Sequence, residues 1–190
     1  MLRPFDSEGS TAKVAFHTRK VAIVTDAARC EISHVVLDGP EGNTWEQLMM
    51  AYAEAHSRVA AYAKNDHLGF TIPYVHQGRS HDYVPDFLLR LRRAEGEDFD
   101  RTLVVEISGA QKRLHSPLSS DTKVAVARDA WCVAVNNHGG FGRWGYLEVT
   151  QMPTLQQTLD GAIQTLYEDG PITGDVDGFT FSSDDNEGTG

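Results

Sequence analysis

A carboxylate inside an apolar run sets the strongest limit on how this chain can fold. Glu106 lies within 103–107 (LVVEI), a run of β-branched and aliphatic residues that favours a buried β-strand. Burying the charge of a Glu is costly unless the carboxylate is paired or binds a cation. Because strand side chains alternate, we expect Glu106 and Ser108 on one face of the sheet and Ile107 on the other.

A second carboxylate opens another apolar run. Asp86 follows Pro85 and precedes 87–91 (FLLRL). If the two runs are neighbouring strands, one acid from each converges on a hard cation such as Mg²⁺, which prefers oxygen ligands. Such a cation would activate water and neutralise the charge of a phosphodiester. A predicted helix offers Glu46 and Glu54 as candidates for a third acid.

An ordinary structural role is also open for both acids. Pro-Asp is a common turn dipeptide, so Asp86 can simply mark a turn. A strand Glu can lie at an exposed sheet edge, or it can pair with an arginine such as Arg90.

The pattern of apolar residues predicts a mixed α/β fold in which a mixed central sheet is flanked by helices. Thr44, with Gln47 three residues later, predicts a helix that starts with a capping box. Strands are predicted at 20–24, 34–37, 59–63, 70–74, 84–91, 103–108, 132–136 and 144–149, and further helices at 119–130 and 154–168. The glycine-rich segment 139–142 is predicted as a hairpin turn between two strands.

Composition divides the chain into three parts. Residues 1–12 are polar and small and predict a flexible N-terminus, 13–170 predict one globular domain, and 171–190 predict an acidic, disordered tail. The chain has 27 acidic and 17 basic residues, and five of the acidic ones lie in 171–190, which contain no Lys or Arg. Half of the net charge of −10 therefore belongs to the tail, so it does not argue against binding to nucleic acid.

Several classes of protein are disfavoured by what the sequence lacks. No apolar run approaches the roughly 18 residues that cross a bilayer, and the N-terminus has no signal-peptide pattern, so we expect a cytoplasmic protein with no membrane partner. Cys30 and Cys132 are far apart and are expected to be buried thiols. No GxxxxGK(S/T) loop occurs, so no ATP site is expected in this chain.

Several segments in consistent order resemble the C-terminal nuclease region of the R subunits of type III restriction enzymes. The most specific is 59–74 (VAAYAKNDHLGFTIPY). The others are 44–46 (TWE), 83–87 (YVPDF), 104–109 (VVEISG), 135–137 (VNN) and 142–146 (GRWGY). Together they extend over about 13–149.

The resemblance implies a PD-(D/E)xK, or restriction endonuclease-like, fold for 13–170. It implies a DNA endonuclease that uses Mg²⁺, or Mn²⁺, to hydrolyse phosphodiester bonds in double-stranded DNA within a type III-like restriction system for phage defence. Asp86, Glu106 and the carbonyl of Ile107 would be metal ligands, with Glu46 contributing from the helix. A helicase or translocase and a methyltransferase would be separate subunits.

The chain departs from the family pattern at Ser108, which stands where the family has its catalytic lysine. A hydroxyl can donate a hydrogen bond, but it cannot supply the cation that stabilises the transition-state phosphate. Lys112 or Lys123 could bring an ammonium group to the same place, since a lysine side chain is long and flexible. An ordinary solvent-facing lysine is the alternative for each.

Basic residues near the acidic pair are candidates for contacts to DNA phosphates. They are Arg92, Arg93, Lys112 and Arg113, and such contacts would contribute affinity without sequence preference. The alternative function is a nuclease fold that has lost catalysis along with the lysine and binds DNA or a helicase or translocase partner.

Overall fold

The computed structural model describes residues 10–39, 44–76, 78–108 and 122–168. Its strands are β1 (Ala22–Val24), β2 (His34–Val36), β3 (Val59–Lys64), β4 (Ile72–His76), β5 (Arg79–Tyr83), β6 (Phe87–Leu91), β7 (Arg101–Ile107) and β8 (Arg143–Val149). The helices are α1 (Trp45–Ala55), α2 (122–138) and α3 (Leu155–Tyr167), and short 3₁₀ turns lie at Thr11–Lys13 and Met152–Thr154. This is the mixed α/β fold that the sequence predicted.

A four-stranded mixed sheet in the order β3-β6-β7-β8 forms the centre of the described fold. β6 pairs antiparallel with β3 and β7, whereas β8 pairs parallel with β7. A parallel pair requires a crossover connection, and α2 lies between β7 and β8 in the chain. β1–β2 and β4–β5 form two separate antiparallel hairpin sheets.

Alternation along the central strands creates two apolar faces. On the first, which we call the α1/α3 face, Leu103 and Val105 pack with residues of α1 and α3 such as Met49 and Leu159. On the second, the α2 face, Val104 packs with residues of α2 and of the β4–β5 hairpin. The alternation predicted for β7 is therefore confirmed, and Glu106 belongs to the α2 face because it alternates with Val105.

The start of α1 has the capping box that the sequence predicted. The Thr44 side chain accepts a hydrogen bond from the Gln47 N–H, and the Gln47 side chain accepts one from the Thr44 N–H, each at 3.3 Å. These contacts satisfy backbone donors that a helix start otherwise leaves without partners.

The strand predicted at 132–136 is wrong, because α2 continues through this segment to residue 138. Val124, Ala127 and Trp131 recur at helical spacing and pack in the core of the α2 face. Val133 is 45% exposed, so its β-branched side chain is not the inward residue of a strand. Residues Val126–Cys132 form a π-helical segment within α2.

The prediction of a hairpin turn at 139–142 is wrong for the same reason, since the segment joins a helix to a strand. Gly139 ends α2 in the left-handed conformation with φ 74°, a common helix C-terminus for glycine. Gly142 also has a positive φ, and a Cβ there would collide with the carbonyl oxygen of Asp100. That carbonyl is fixed because it accepts a hydrogen bond from the Arg143 N–H at 2.8 Å.

The strand predicted at 84–91 is shorter in the structure, because 84–86 form a connection before β6. β5 ends at Tyr83 and β6 begins at Phe87, and Pro85, which lacks an N–H, lies in the connection. The sequence did not predict β5, whose residues Arg79 to Asp82 are polar and exposed. Asp86 thus precedes the first residue of a central strand.

Candidate functional site

Asp86, one residue before β6, lies opposite Glu106 of the neighbouring strand β7. The antiparallel register pairs Phe87 with Val105, and one further step of that register places Asp86 opposite Glu106. The N–H of Ile107 donates a hydrogen bond to Asp86 Oδ2 at 2.7 Å. The fold therefore brings together the two acids that the sequence singled out, at one end of β6 and β7.

Two buried tyrosines lie directly behind Glu106. The Tyr83 hydroxyl donates a hydrogen bond to Glu106 Oε2 at 2.9 Å, and the hydroxyls of Tyr83 and Tyr146 are 2.9 Å apart. Neither tyrosine is marked as a site residue by the sequence pattern, because that pattern predicts neither the β5 strand nor the register that joins β8 to β7. Tyr83 comes from the end of the β4–β5 hairpin, and Tyr146 comes from β8.

A third carboxylate, Glu148, lies beside Glu106 on β8. The parallel register pairs Glu106 with Glu148, and the buried Ser108 hydroxyl donates a hydrogen bond to Glu148 Oε1. Sequence reasoning missed Glu148, although it gives the same signal as Glu106, a carboxylate between the apolar residues Leu147 and Val149.

Burial raises the pKa of the Tyr146 hydroxyl above its usual range, and the charges of Glu106, Glu148 and Asp86 raise it further, against a lowering by the hydrogen bond with Tyr83. Burial is also the main cause of the raised pKa of Tyr83, followed by the neighbouring Tyr146 and Glu106. Both hydroxyls therefore stay protonated at physiological pH.

One of the two lysines proposed to replace the family lysine lies at this site. Lys123 is in the first turn of α2, is partly buried, and has its Nζ 5.8 Å from the centre of the Tyr83 ring. An ammonium group over an aromatic face is attracted by the ring quadrupole. Lys112 lies outside the described residues.

The two helix-borne acids are on the other side of the sheet. Glu46 Oε1 lies 3.8 Å from the Nζ of Lys64, and Lys64 shares the α1/α3 face with its register partner Phe87. Glu54 accepts hydrogen bonds from the Tyr62 hydroxyl at 2.7 Å and the Asp26 N–H at 2.9 Å. The structure therefore does not group Glu46 or Glu54 with Glu106.

The predicted phosphate-binding arginines are distant from the acidic pair. Arg92 and Arg93 follow the last residue of β6, whereas Asp86 precedes its first, a separation of about 20 Å along an extended strand. Arg92 Nε donates a hydrogen bond to the Ser57 carbonyl at 2.9 Å, and Arg93 Nε to Asp100 at 2.8 Å. Arg113, like Lys112, lies outside the described residues.

The donor chemistry around Asp86 and Glu106 suits a hard divalent cation. Two carboxylates and a backbone carbonyl are oxygen ligands, and Mg²⁺ usually keeps several waters rather than filling its shell from protein. Within the described ranges no three His, Cys, Asp or Glu side chains are grouped closely enough to hold a metal ion among them. Glu148 therefore does not complete a three-carboxylate cage, and metal binding by the pair stays a prediction.

No model of a known protein family, no curated protein and no solved structure matches the chain. Among the described residues, no helix has the length and apolar character to span a membrane. Any account of function therefore depends on the site and on the sequence resemblance.

Proposed function

We propose that this chain is a Mg²⁺-dependent endonuclease of the PD-(D/E)xK type that hydrolyses phosphodiester bonds in double-stranded DNA. The observation that carries the proposal is the adjacency of Asp86 and Glu106, linked by the hydrogen bond from the Ile107 N–H to Asp86. Carboxylates from neighbouring strands at one end of a sheet are suited to bind one cation.

The fold and the sequence support the same proposal. A mixed sheet with helices on both faces agrees with the architecture expected from the resemblance to the nuclease region of type III restriction R subunits. The segments that carry the resemblance include Asp86, Glu106 and Tyr83. The proposal extends to a restriction system in which a helicase or translocase and a methyltransferase are separate chains.

Each residue of the proposed site would have a separate role in hydrolysis. Mg²⁺, when bound by Asp86, Glu106 and the Ile107 carbonyl, supplies positive charge that activates water and offsets charge on the phosphodiester. The Ile107 N–H would orient Asp86 through the hydrogen bond that it donates to that carboxylate. Lys123 would place its ammonium group against the phosphate and stabilise the charge of the transition state. Ser108 cannot do this, because its hydroxyl is uncharged.

The β4–β5 hairpin is the surface that we assign to DNA contact. Tyr83, at the base of this hairpin, contacts Glu106. Arg79, at the other end of β5, is exposed and lies four residues from Tyr83, about 14 Å along an extended strand. A two-stranded β-ribbon fits the DNA major groove, which is about 12 Å wide. We therefore assign phosphate contacts to this hairpin rather than to Arg92 and Arg93, which lie at the opposite end of β6.

An inactive DNA-binding or partner-binding module is the second candidate, and the Ser108–Glu148 contact favours it. The residue in the lysine position is buried and donates its hydroxyl to a carboxylate, so it contributes no positive charge. Under this alternative the fold binds DNA or a translocase without cutting.

Cleavage of plasmid DNA with Mg²⁺ or Mn²⁺ separates the two candidates. We expect nicked or linear product with the wild-type chain and none with Asp86→Ala or Glu106→Ala. The control Asp160→Asn changes a carboxylate that accepts a hydrogen bond from Tyr52 on the α3 surface, and it should cut like the wild type. No cutting at high protein concentration, with unaltered DNA binding in both alanine variants, would overturn the enzyme proposal.

A further inference from the structure

A chain of two hydroxyls ends on Glu106. Tyr83 and Tyr146 are 4% and 1% exposed, and the distances from Tyr146 to Tyr83 and from Tyr83 to Glu106 are both 2.9 Å. Their rings meet edge to face with centroids 6.3 Å apart. Both tyrosines lie in the core of the α2 face, yet the carboxylate that Tyr83 contacts belongs to the proposed metal site.

The direction of the hydrogen bonds follows from counting protons. An ionised carboxylate only accepts, so the single hydroxyl hydrogen of Tyr83 goes to Glu106. The contact between the hydroxyls must then use the hydrogen of Tyr146, with the oxygen of Tyr83 as acceptor. Both O–H dipoles point toward Glu106, and hydrogen bonds in such a chain polarise and strengthen one another.

Packing holds this chain of hydroxyls in place from two sides. Tyr83 is paired with Ile72 in the β4–β5 hairpin, and Tyr146 is paired with Val104 in the central sheet. Each ring is fixed by buried apolar neighbours, so the Tyr83 hydroxyl has little freedom to leave Glu106. A carboxylate held at one oxygen presents a fixed orientation to a ligand.

We propose that Tyr83, supported by Tyr146, is a positioning residue that orients the Glu106 carboxylate for divalent-cation binding. This inference rests on the proposed function, since it assigns a role toward the same cation. Partners that hold metal-binding carboxylates commonly affect metal affinity or activity by about 10- to 100-fold when they are removed.

The chain contains a matched control for this contact. Tyr62 is also 4% exposed, and its hydroxyl also donates to a glutamate, Glu54, at 2.7 Å. That pair lies on the α1/α3 face, because Tyr62 packs in its core. Tyr83→Phe and Tyr62→Phe therefore remove the same chemical group from equally buried rings, and only the first removes a contact to Glu106.

The experiment titrates Mn²⁺ alone into each variant by calorimetry, with thermal unfolding measured in parallel. We expect Tyr83→Phe to weaken Mn²⁺ binding by roughly 10- to 100-fold and Tyr62→Phe to leave it unchanged, even where both lower the melting temperature. Tyr146→Phe keeps the Tyr83–Glu106 bond and should weaken binding less than Tyr83→Phe. This milder variant tests the chain of hydroxyls if Tyr83→Phe does not fold.

Two results would overturn the inference in distinguishable ways. Wild-type Mn²⁺ affinity in both Tyr83→Phe and Tyr146→Phe would show that the tyrosines have only a structural role, and it would leave the proposed function standing. A folded wild-type chain that binds no Mn²⁺ would overturn the proposed function and this inference with it.

Discussion

Ser108 donates its hydroxyl to Glu148, the residue that lies beside Glu106 on the adjacent strand. The position where the resemblance expects a lysine is therefore a buried, neutral partner of a carboxylate. Asp86, Glu106 and Glu148 make this end of the sheet acidic, so a positive charge from elsewhere is needed to stabilise a phosphate. Lys123 is the described lysine whose ammonium group lies over the Tyr83 ring.

Lys123→Ala should lower the single-turnover cleavage rate by about a hundred- to a thousand-fold, because it removes one electrostatic contributor to the transition state. Lys123→Arg, which keeps the charge, should retain more activity. Ser108→Lys in the Lys123→Ala background should recover part of the loss by restoring an ammonium group near Glu106. If Ser108→Lys raises cleavage while Lys123→Ala and Lys112→Ala change nothing, no relocated lysine operates.

Arg79→Ala should weaken binding to a DNA duplex, because Arg79 is exposed on the hairpin that starts at the site. Fluorescence anisotropy across a range of salt concentrations should show a log–log slope reduced by about one, the change expected for one lost phosphate contact. Arg92→Ala should have a smaller effect, since its guanidinium is bonded to the Ser57 carbonyl at the far end of β6. An Arg92→Ala effect larger than that of Arg79→Ala would contradict the assignment of the hairpin.

Glu97→Gln should alter the pH dependence of stability. The hydrogen bond from the buried Arg101 lowers the pKa of Glu97 below its ordinary value of 4.5. A lowered folded-state pKa adds stability above the unfolded pKa, and that stability is lost as the pH falls through the folded pKa. Thermal unfolding should therefore show wild type more stable than Glu97→Gln at pH 7, with the difference shrinking below about pH 4.5. If the stability difference between wild type and Glu97→Gln does not change with pH, the ionised Glu97 does not stabilise the fold.

Two glycines in one connection test the close approach at Asp100. Gly139→Ala should lower the free energy of unfolding by about 1–2 kcal/mol, because an alanine is strained at this positive φ. An added Cβ contacts no other atom there, so no steric cost is added. Gly142→Ala has the same strain and also collides with the Asp100 carbonyl, so it should cost more. Equal losses in urea denaturation would show that the connection adjusts to the added methyl group.

Asp86 and Glu106 could be singled out because each is marked by a local signal, whereas their adjacency depends on the pairing of β6 with β7. An acid inside an apolar strand and an acid at the start of another each mark a position, and strand alternation fixes the face of Glu106. The capping box at Thr44 is local in the same way and is confirmed.

The placement of Glu148 and of the two tyrosines next to Glu106 could not be predicted, because it depends on register between distant strands. Nothing in 143–149 alone shows that Glu148 pairs with Glu106. Tyr83 ends a strand of polar, exposed residues that gives no apolar alternation. The composition of 132–136 predicts a strand although the segment is helical, because a short β-branched run cannot be distinguished from part of a buried helix by composition.

Crystals of the chain soaked in Mn²⁺ provide the most direct test of the central claim, through the anomalous scattering of the metal. We predict a peak between the carboxylates of Asp86 and Glu106, within about 2.5 Å of an oxygen of each. A peak only at Asp38 and Glu46, whose carboxylates lie 3.6 and 3.8 Å from the Nζ of Lys64, would contradict metal binding by Asp86 and Glu106. No peak in crystals that leave this end of the sheet open would contradict it as well.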